Sequence, residues 1–167
     1  MQFRLKTSCF VSVVLFFFIS TACLYAGTKL RVITKVDGVD REYFIHIPTN
    51  HDSSKEVPLV FMLHGTGGDG EVMYQTSGWV ELSEKEGFIV AFPSSLRFKI
   101  IDHEGLKTTT KWNTIPDADW TLQPGQVGSD DIKFLRTVIN EIKGKYIIDA
   151  KRIYLNGFSN GGQMAAM

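Results

Sequence analysis

An α/β fold, in which an antiparallel hairpin leads into parallel strands flanked by helices, is predicted by three observations. Two continuous apolar runs, Leu59-Val60-Phe61-Met62-Leu63 and Phe88-Ile89-Val90-Ala91-Phe92, read as strands covered on both faces. Leu135, Val138, Ile139 and Ile142 follow the i, i+3, i+4, i+7 rule, which lays one apolar stripe along a helix. Strands and helices also alternate along the chain, and each crossover from strand through helix to strand favours parallel pairing.

The elements follow in order. Leu30 to Val36 and Arg41 to Ile47 are β-rich and flank Asp37-Gly38, a step that signals a hairpin. Pro58 precedes the first buried strand, which stops at His64-Gly65-Thr66-Gly67-Gly68-Asp69-Gly70, where glycines open backbone conformations closed to other residues. Trp79, Leu82 and Glu86 stand at helical spacing before Gly87, so a helix is expected over about 76–86. Pro93 ends the second buried strand, and from Ser94 to Gly128 no period is sustained. Ser129 is a candidate cap for the next helix, with Asp130 and Asp131 at its positive end and Gly144 at its close. Arg152-Ile153-Tyr154-Leu155-Asn156 forms a further strand, and Gln163-Met164-Ala165-Ala166-Met167 is helix-prone. With no internal repeat, low-complexity tract or linker, residues 27–167 read as the N-terminal portion of a single domain.

The first 26 residues read as a secretory signal. Arg4 and Lys6 precede an apolar run from Cys9 to Ile19, about 11 residues against the ~20 needed to span hydrocarbon. Cleavage is expected after Ala26 or after Ala22, giving a secreted or periplasmic protein with no stable membrane span. Ser20-Thr21-Ala22-Cys23 loosely resembles a lipobox, which makes Cys23 a candidate lipid anchor. The bland alternative is an uncleaved N-terminal anchor. The chain carries 18 basic and 18 acidic residues, and loss of the leader leaves a net charge of −2 because only Arg4 and Lys6 go with it. No basic cluster marks a nucleic-acid partner. Cys9 and Cys23 both lie in the leader, so neither a disulfide framework nor a zinc site is expected, and no cofactor is implied.

Gly157-Phe158-Ser159-Asn160-Gly161 fits G-x-S-x-G, with a strand leading in and a helix leading out, the setting that a nucleophile elbow requires. The turn is tight and holds its serine in a strained geometry, so neighbours without a β-carbon let the chain pass close on both sides. Ser159 is therefore the candidate nucleophile. The backbone N–H groups of Asn160 and Thr66 are candidate oxyanion donors, with Gly65 or Gly67 as alternatives to Thr66. A phosphate-binding reading of 64–70 fails for want of a G-K-[ST] ending.

Leu63-His64-Gly65-Thr66-Gly67-Gly68, Gly87 to Pro93, Ser129 to Phe134, Ile148 to Tyr154 and Gly157 to Ala165 resemble the polyhydroxybutyrate depolymerase and feruloyl-esterase group of α/β-hydrolases. The likeness runs from about Val57 to the end. It implies an α/β-hydrolase fold and an exported serine esterase that takes an ester substrate, with Ser159 as nucleophile. Two departures stand out: secreted members often carry disulfides, and no acid or histidine follows Ser159 here. In this family the triad runs serine, acid, histidine, yet His46, His51, His64 and His103 all precede the serine.

His64 stands where it would orient the oxyanion loop rather than act as base. His46 is expected to face solvent or a cross-strand neighbour, and His51 and His103 to be exposed. Asp130 and Asp131 fit a helix start better than a triad, and Asp149 and Arg152 are expected to pair. Trp112 and Trp120 are read either as pocket lining or as packing. A serine peptidase of the same fold and a non-catalytic remnant or binding module are the competing functions. A continuation beyond Met167 with an acid and then a histidine would favour the esterase.

Overall fold

The computed structural model describes residues 27–115 and 121–167. Residues 1–26, on which the expected leader with Cys9 and Cys23 falls, and Trp120 lie outside the described residues. Five strands form a mixed sheet in the order β1-β2-β4-β3-β7. Strand β1 (Thr28–Val36) and β2 (Val39–Ile47) make the leading hairpin, in full antiparallel register from Thr28↔Ile47 to Val36↔Val39. Asp37 and Gly38 both take positive φ, 53° and 79°, the turn geometry that an Asp-Gly step favours. Strand β2 pairs antiparallel with β4 (Ile89–Pro93), and β3 (Val57–Leu63) pairs parallel with both β4 and β7 (Ile148–Gly157).

The apolar runs are continuous because their alternate residues feed two different cores. Leu59, Phe61 and Leu63, together with Ile89 and Ala91, join Phe134, Leu135, Val138 and Ile142 of helix α3 (Asp131–Lys143) on one face. Val60, Met62, Val90 and Phe92 face the other way, toward Met73 and Tyr74 of α1 (Gly70–Thr76) and Val80 of α2 (Trp79–Glu86). Such two-sided burial is what parallel strands need.

Four expectations are corrected. The helix expected over 76–86 is two helices. The first begins at Gly70, capped by Asp69, whose side chain accepts from the Val72 amide at 2.8 Å. Gly78, at φ 76°, separates it from α2, which ends on left-handed Gly87. The cap of α3 is Asp130, whose carboxylate accepts from the Lys133 amide at 2.8 Å. Ser129 instead donates its hydroxyl to Asp131 at 3.0 Å. The unperiodic stretch after Pro93 holds a second hairpin, β5 (Arg97–Asp102) with β6 (Gly105–Thr110), where Phe98, Ile100 and Leu122 make a small core of their own. Finally, His46 is fully buried rather than solvent-facing, held between the Tyr74 hydroxyl at 2.8 Å and Glu84 at 2.7 Å.

Candidate active site

Strand β7 ends at Gly157, and α4 (Asn160–Ala165) begins two residues after Phe158. Between them Ser159 adopts φ 52° and ψ −118°, a conformation costing on the order of 1–3 kcal/mol for a non-glycine residue. Close packing enforces it. A β-carbon on Gly157 would lie 2.3 Å from the Gly161 carbonyl carbon, and one on Gly161 would lie 2.4 Å from the His64 carbonyl oxygen. The Phe158 amide donates to the Leu63 carbonyl at 3.0 Å, and the Gly161 amide donates to Phe158 at 2.9 Å. The result is an exposed serine whose side chain caps no amide of the helix it starts.

The loop after β3 lies directly against this turn. A β-carbon on Gly65 would stand 3.3 Å from Ser159 Cβ and 3.0 Å from the Phe158 ring. The Gly65 carbonyl accepts from His64 Nδ1 at 2.7 Å and from the Gly68 amide at 3.1 Å. Because the following peptide is trans, the Thr66 N–H points opposite to that carbonyl, away from both donors. The Gly67 amide is unavailable to a ligand, since it donates to the Thr110 carbonyl at 3.0 Å. Of the alternatives to Thr66, Gly67 is thereby removed.

His64 orients this loop. It is fully buried, and its Nε2 accepts from the Ser95 amide at 2.9 Å, which puts the ring proton on Nδ1 for donation to Gly65. Burial pushes its pKa below the ordinary histidine value, so the ring is neutral and its lone pair is engaged. It has nothing left with which to take a proton from Ser159. Of the others, His46 is engaged as described, His51 is half-buried edge-on to Tyr146 rather than exposed as expected, and His103 is exposed.

Trp112 belongs to the interior, not to a pocket wall. Fully buried, it donates Nε1–H to the His64 carbonyl at 2.8 Å, and its backbone amide donates to Asn160 Oδ1 at 2.7 Å. One signal in the sequence could have found this, an asparagine directly after the serine with a side chain able to bond a neighbouring backbone. Asp131 is buried against Arg41 at 2.6 Å and accepts the Asn113 amide at 2.7 Å. Asp149 and Arg152 pair as expected, at 2.6 Å. Among the described residues no group of three or more His, Cys, Asp or Glu is placed to hold a metal ion. None of their helices is long and apolar enough to cross a membrane.

No protein-family model matches the chain. Curated relatives do. A bifunctional acetylxylan esterase/xylanase of Neocallimastix patriciarum is 30% identical over 125 residues, which is 75% of this chain and 15% of the relative. Feruloyl esterase B of Piromyces equi is 27% identical over 125 residues, 75% of this chain and 20% of the relative. Poly(3-hydroxyalkanoate) depolymerase C of Paucimonas lemoignei is 25% identical over 149 residues, 89% of this chain and 32% of the relative. Among solved structures, an S-formylglutathione hydrolase from Agrobacterium tumefaciens superposes with a TM-score of 0.66 at 17% identity, over 88% of this chain and 54% of that one. An acetyl xylan esterase from Aspergillus awamori gives 0.58 at 20% identity, over 81% and 44%.

The chain has the α/β-hydrolase fold and is similar in sequence to esterases. It spans a third or less of the length of these relatives and about half of the matched structures. For this α/β-hydrolase the hairpin β1-β2 and the parallel set β4-β3-β7 are the part of the sheet described. Strand β7 pairs with β3 alone among the described residues, with Tyr154 and Leu155 exposed.

Proposed function

We propose that the protein is a secreted serine esterase that hydrolyses carboxylic esters, of the polyhydroxyalkanoate or feruloyl type, through an acyl-enzyme on Ser159. The observation that carries this reading is the apposition of Gly65 and Ser159, which sets the loop after β3 against a strained serine on a strand-to-helix turn. Ser159 Oγ attacks the ester carbonyl and loses its proton to a histidine. The carbonyl oxygen becomes an oxyanion, received by the Thr66 and Asn160 amides. Asn160 opens α4, so its N–H has no preceding helical turn to bond. Collapse breaks the bond to the alcohol, which leaves with the proton from the histidine. Water, deprotonated by the same histidine, then releases the acid and restores Ser159.

His46 and His64 are engaged elsewhere, and in the family order the acid and then the histidine follow the serine, so we place both after Ser159 in the full-length protein. Export rests on the leader: Arg4, Lys6 and the apolar run to Ile19. N-terminal sequencing of the exported protein should find the new end after Ala26 or Ala22, and an intact Met1 on exported material would contradict it. The catalytic assignment is tested by Ser159→Ala in the full-length protein. Release of p-nitrophenol from short acyl esters should fall by several orders of magnitude with melting unchanged. Retention of more than about a tenth of the activity would remove Ser159 from its role.

A further inference from the structure

Both loops that supply the candidate oxyanion amides are held by one residue that neither motif contains. Trp112 donates its indole N–H to the His64 carbonyl, at the base of the Thr66 loop, and its backbone N–H to Asn160 Oδ1, at the start of α4. The peptide joining Trp112 to Asn113 is bonded further, and besides a local bond from the Thr114 amide at 3.1 Å it has two long-range ones. Its carbonyl accepts from Asn160 Nδ2 at 3.3 Å, and its N–H donates to Asp131 Oδ2 at 2.7 Å. Asp131 is itself immobilised, fully buried, by Arg41 at 2.6 Å and the Ser129 hydroxyl at 3.0 Å. A continuous series of bonds thus runs from Arg41 through Asp131 and Trp112 to both halves of the site.

We infer that Trp112 is a positioning residue for the oxyanion hole, setting the spacing between the Thr66 and Asn160 amides, and that Asp131 fixes Trp112 in that role. The inference rests on the esterase reading of Ser159. Its physical content is preorganisation: donors must stand where the oxyanion will form, and a misplacement near 1 Å can cost about a hundredfold in rate. The ground-state ester has no oxyanion, so loss of spacing should appear in kcat more than in KM.

The experiment uses the full-length protein with Trp112→Phe, and with Trp112 replaced by 3-benzothienylalanine, which keeps the ring shape and puts sulfur in place of the N–H. Ser159 is titrated with a fluorophosphonate, so that kcat is counted per competent site and a partly unfolded preparation does not mimic a slow one. Both proteins should lose about tenfold to a hundredfold in kcat per titrated site, with KM little changed. Affinity for a trifluoromethyl ketone, whose adduct oxygen occupies the hole, should fall in parallel. Wild-type kcat per titrated site in the benzothienyl protein would overturn the inference while leaving the esterase reading intact. Failure of the wild-type protein to be labelled at Ser159 would overturn that reading, and the inference with it.

Discussion

At the carboxyl ends of β3 and β7 the chain turns on glycines, whereas the segment that ties those turns together, Lys111 to Asn113, contains none and is held by side chains and single backbone bonds. Gly157 and Gly161 are required because a β-carbon would collide with backbone at 2.3 and 2.4 Å, and at Gly65 one would press on the Phe158 ring at 3.0 Å. Trp112 and Asn113 are held by groups distant in sequence, His64, Asn160 and Asp131. The first kind of structure is dictated locally and announces itself as a motif. The second exists only once the chain has folded, and it decides whether the first is geometrically precise.

The difference can be broken from either side, and the largest effect should come from the long-range side. Asp131→Ala leaves the Arg41 guanidinium buried without its carboxylate, and guanidinium denaturation of the full-length protein should show a loss of about 3–5 kcal/mol. A loss below about 1 kcal/mol would mean that the pair is not structurally required. Gly161→Ala, from the local side, drives a methyl into the His64 carbonyl and should cost about 1–3 kcal/mol. Gly38→Ala sharpens the contrast. Nothing lies within 4 Å of its would-be β-carbon, so only the strain of φ 79° remains, about 1 kcal/mol. If the two alanine variants cost the same, close packing at the elbow is not what selects glycine there.

A smaller effect is expected with pH. Burial keeps the proton off folded His64, so on acidification the unfolded chain protonates first. Stability should hold above about pH 6.5 and decline below it. His64→Asn should flatten that decline between about pH 6.5 and 5. An unchanged slope in chemical denaturation across that window would contradict the buried, neutral ring.

This division also explains what was legible in the amino-acid sequence. The hairpin at Asp37-Gly38, the buried runs of β3 and β4, the stripe on α3 and the Gly157 to Gly161 turn each rest on neighbours a few residues apart, and the structure has them where they were expected. Helix α1 was hidden because its seven residues follow a glycine-rich loop and are too few to set a period. Hairpin β5-β6 was hidden because β6, Gly-Leu-Lys-Thr-Thr-Thr, lacks apolar alternation. His46 was misjudged because a polar residue on a strand is ordinarily turned outward, and only the arrival of Tyr74 and Glu84 from two helices makes its burial tolerable. Trp112 offered no clue to its role, since a ring in an unperiodic stretch packs equally well in a pocket wall or a core.

The account turns on a covalent intermediate at one serine. The full-length protein should therefore be mixed with a slowly deacylating p-nitrophenyl ester, quenched in acid during turnover and digested with trypsin for mass analysis. The acyl mass should appear on the peptide that begins at Ile153, fragmenting to Ser159, and should vanish when the quench is delayed until the ester is exhausted. Turnover with the acyl group on another residue, or with no covalent acyl species during a burst of p-nitrophenol, would contradict it.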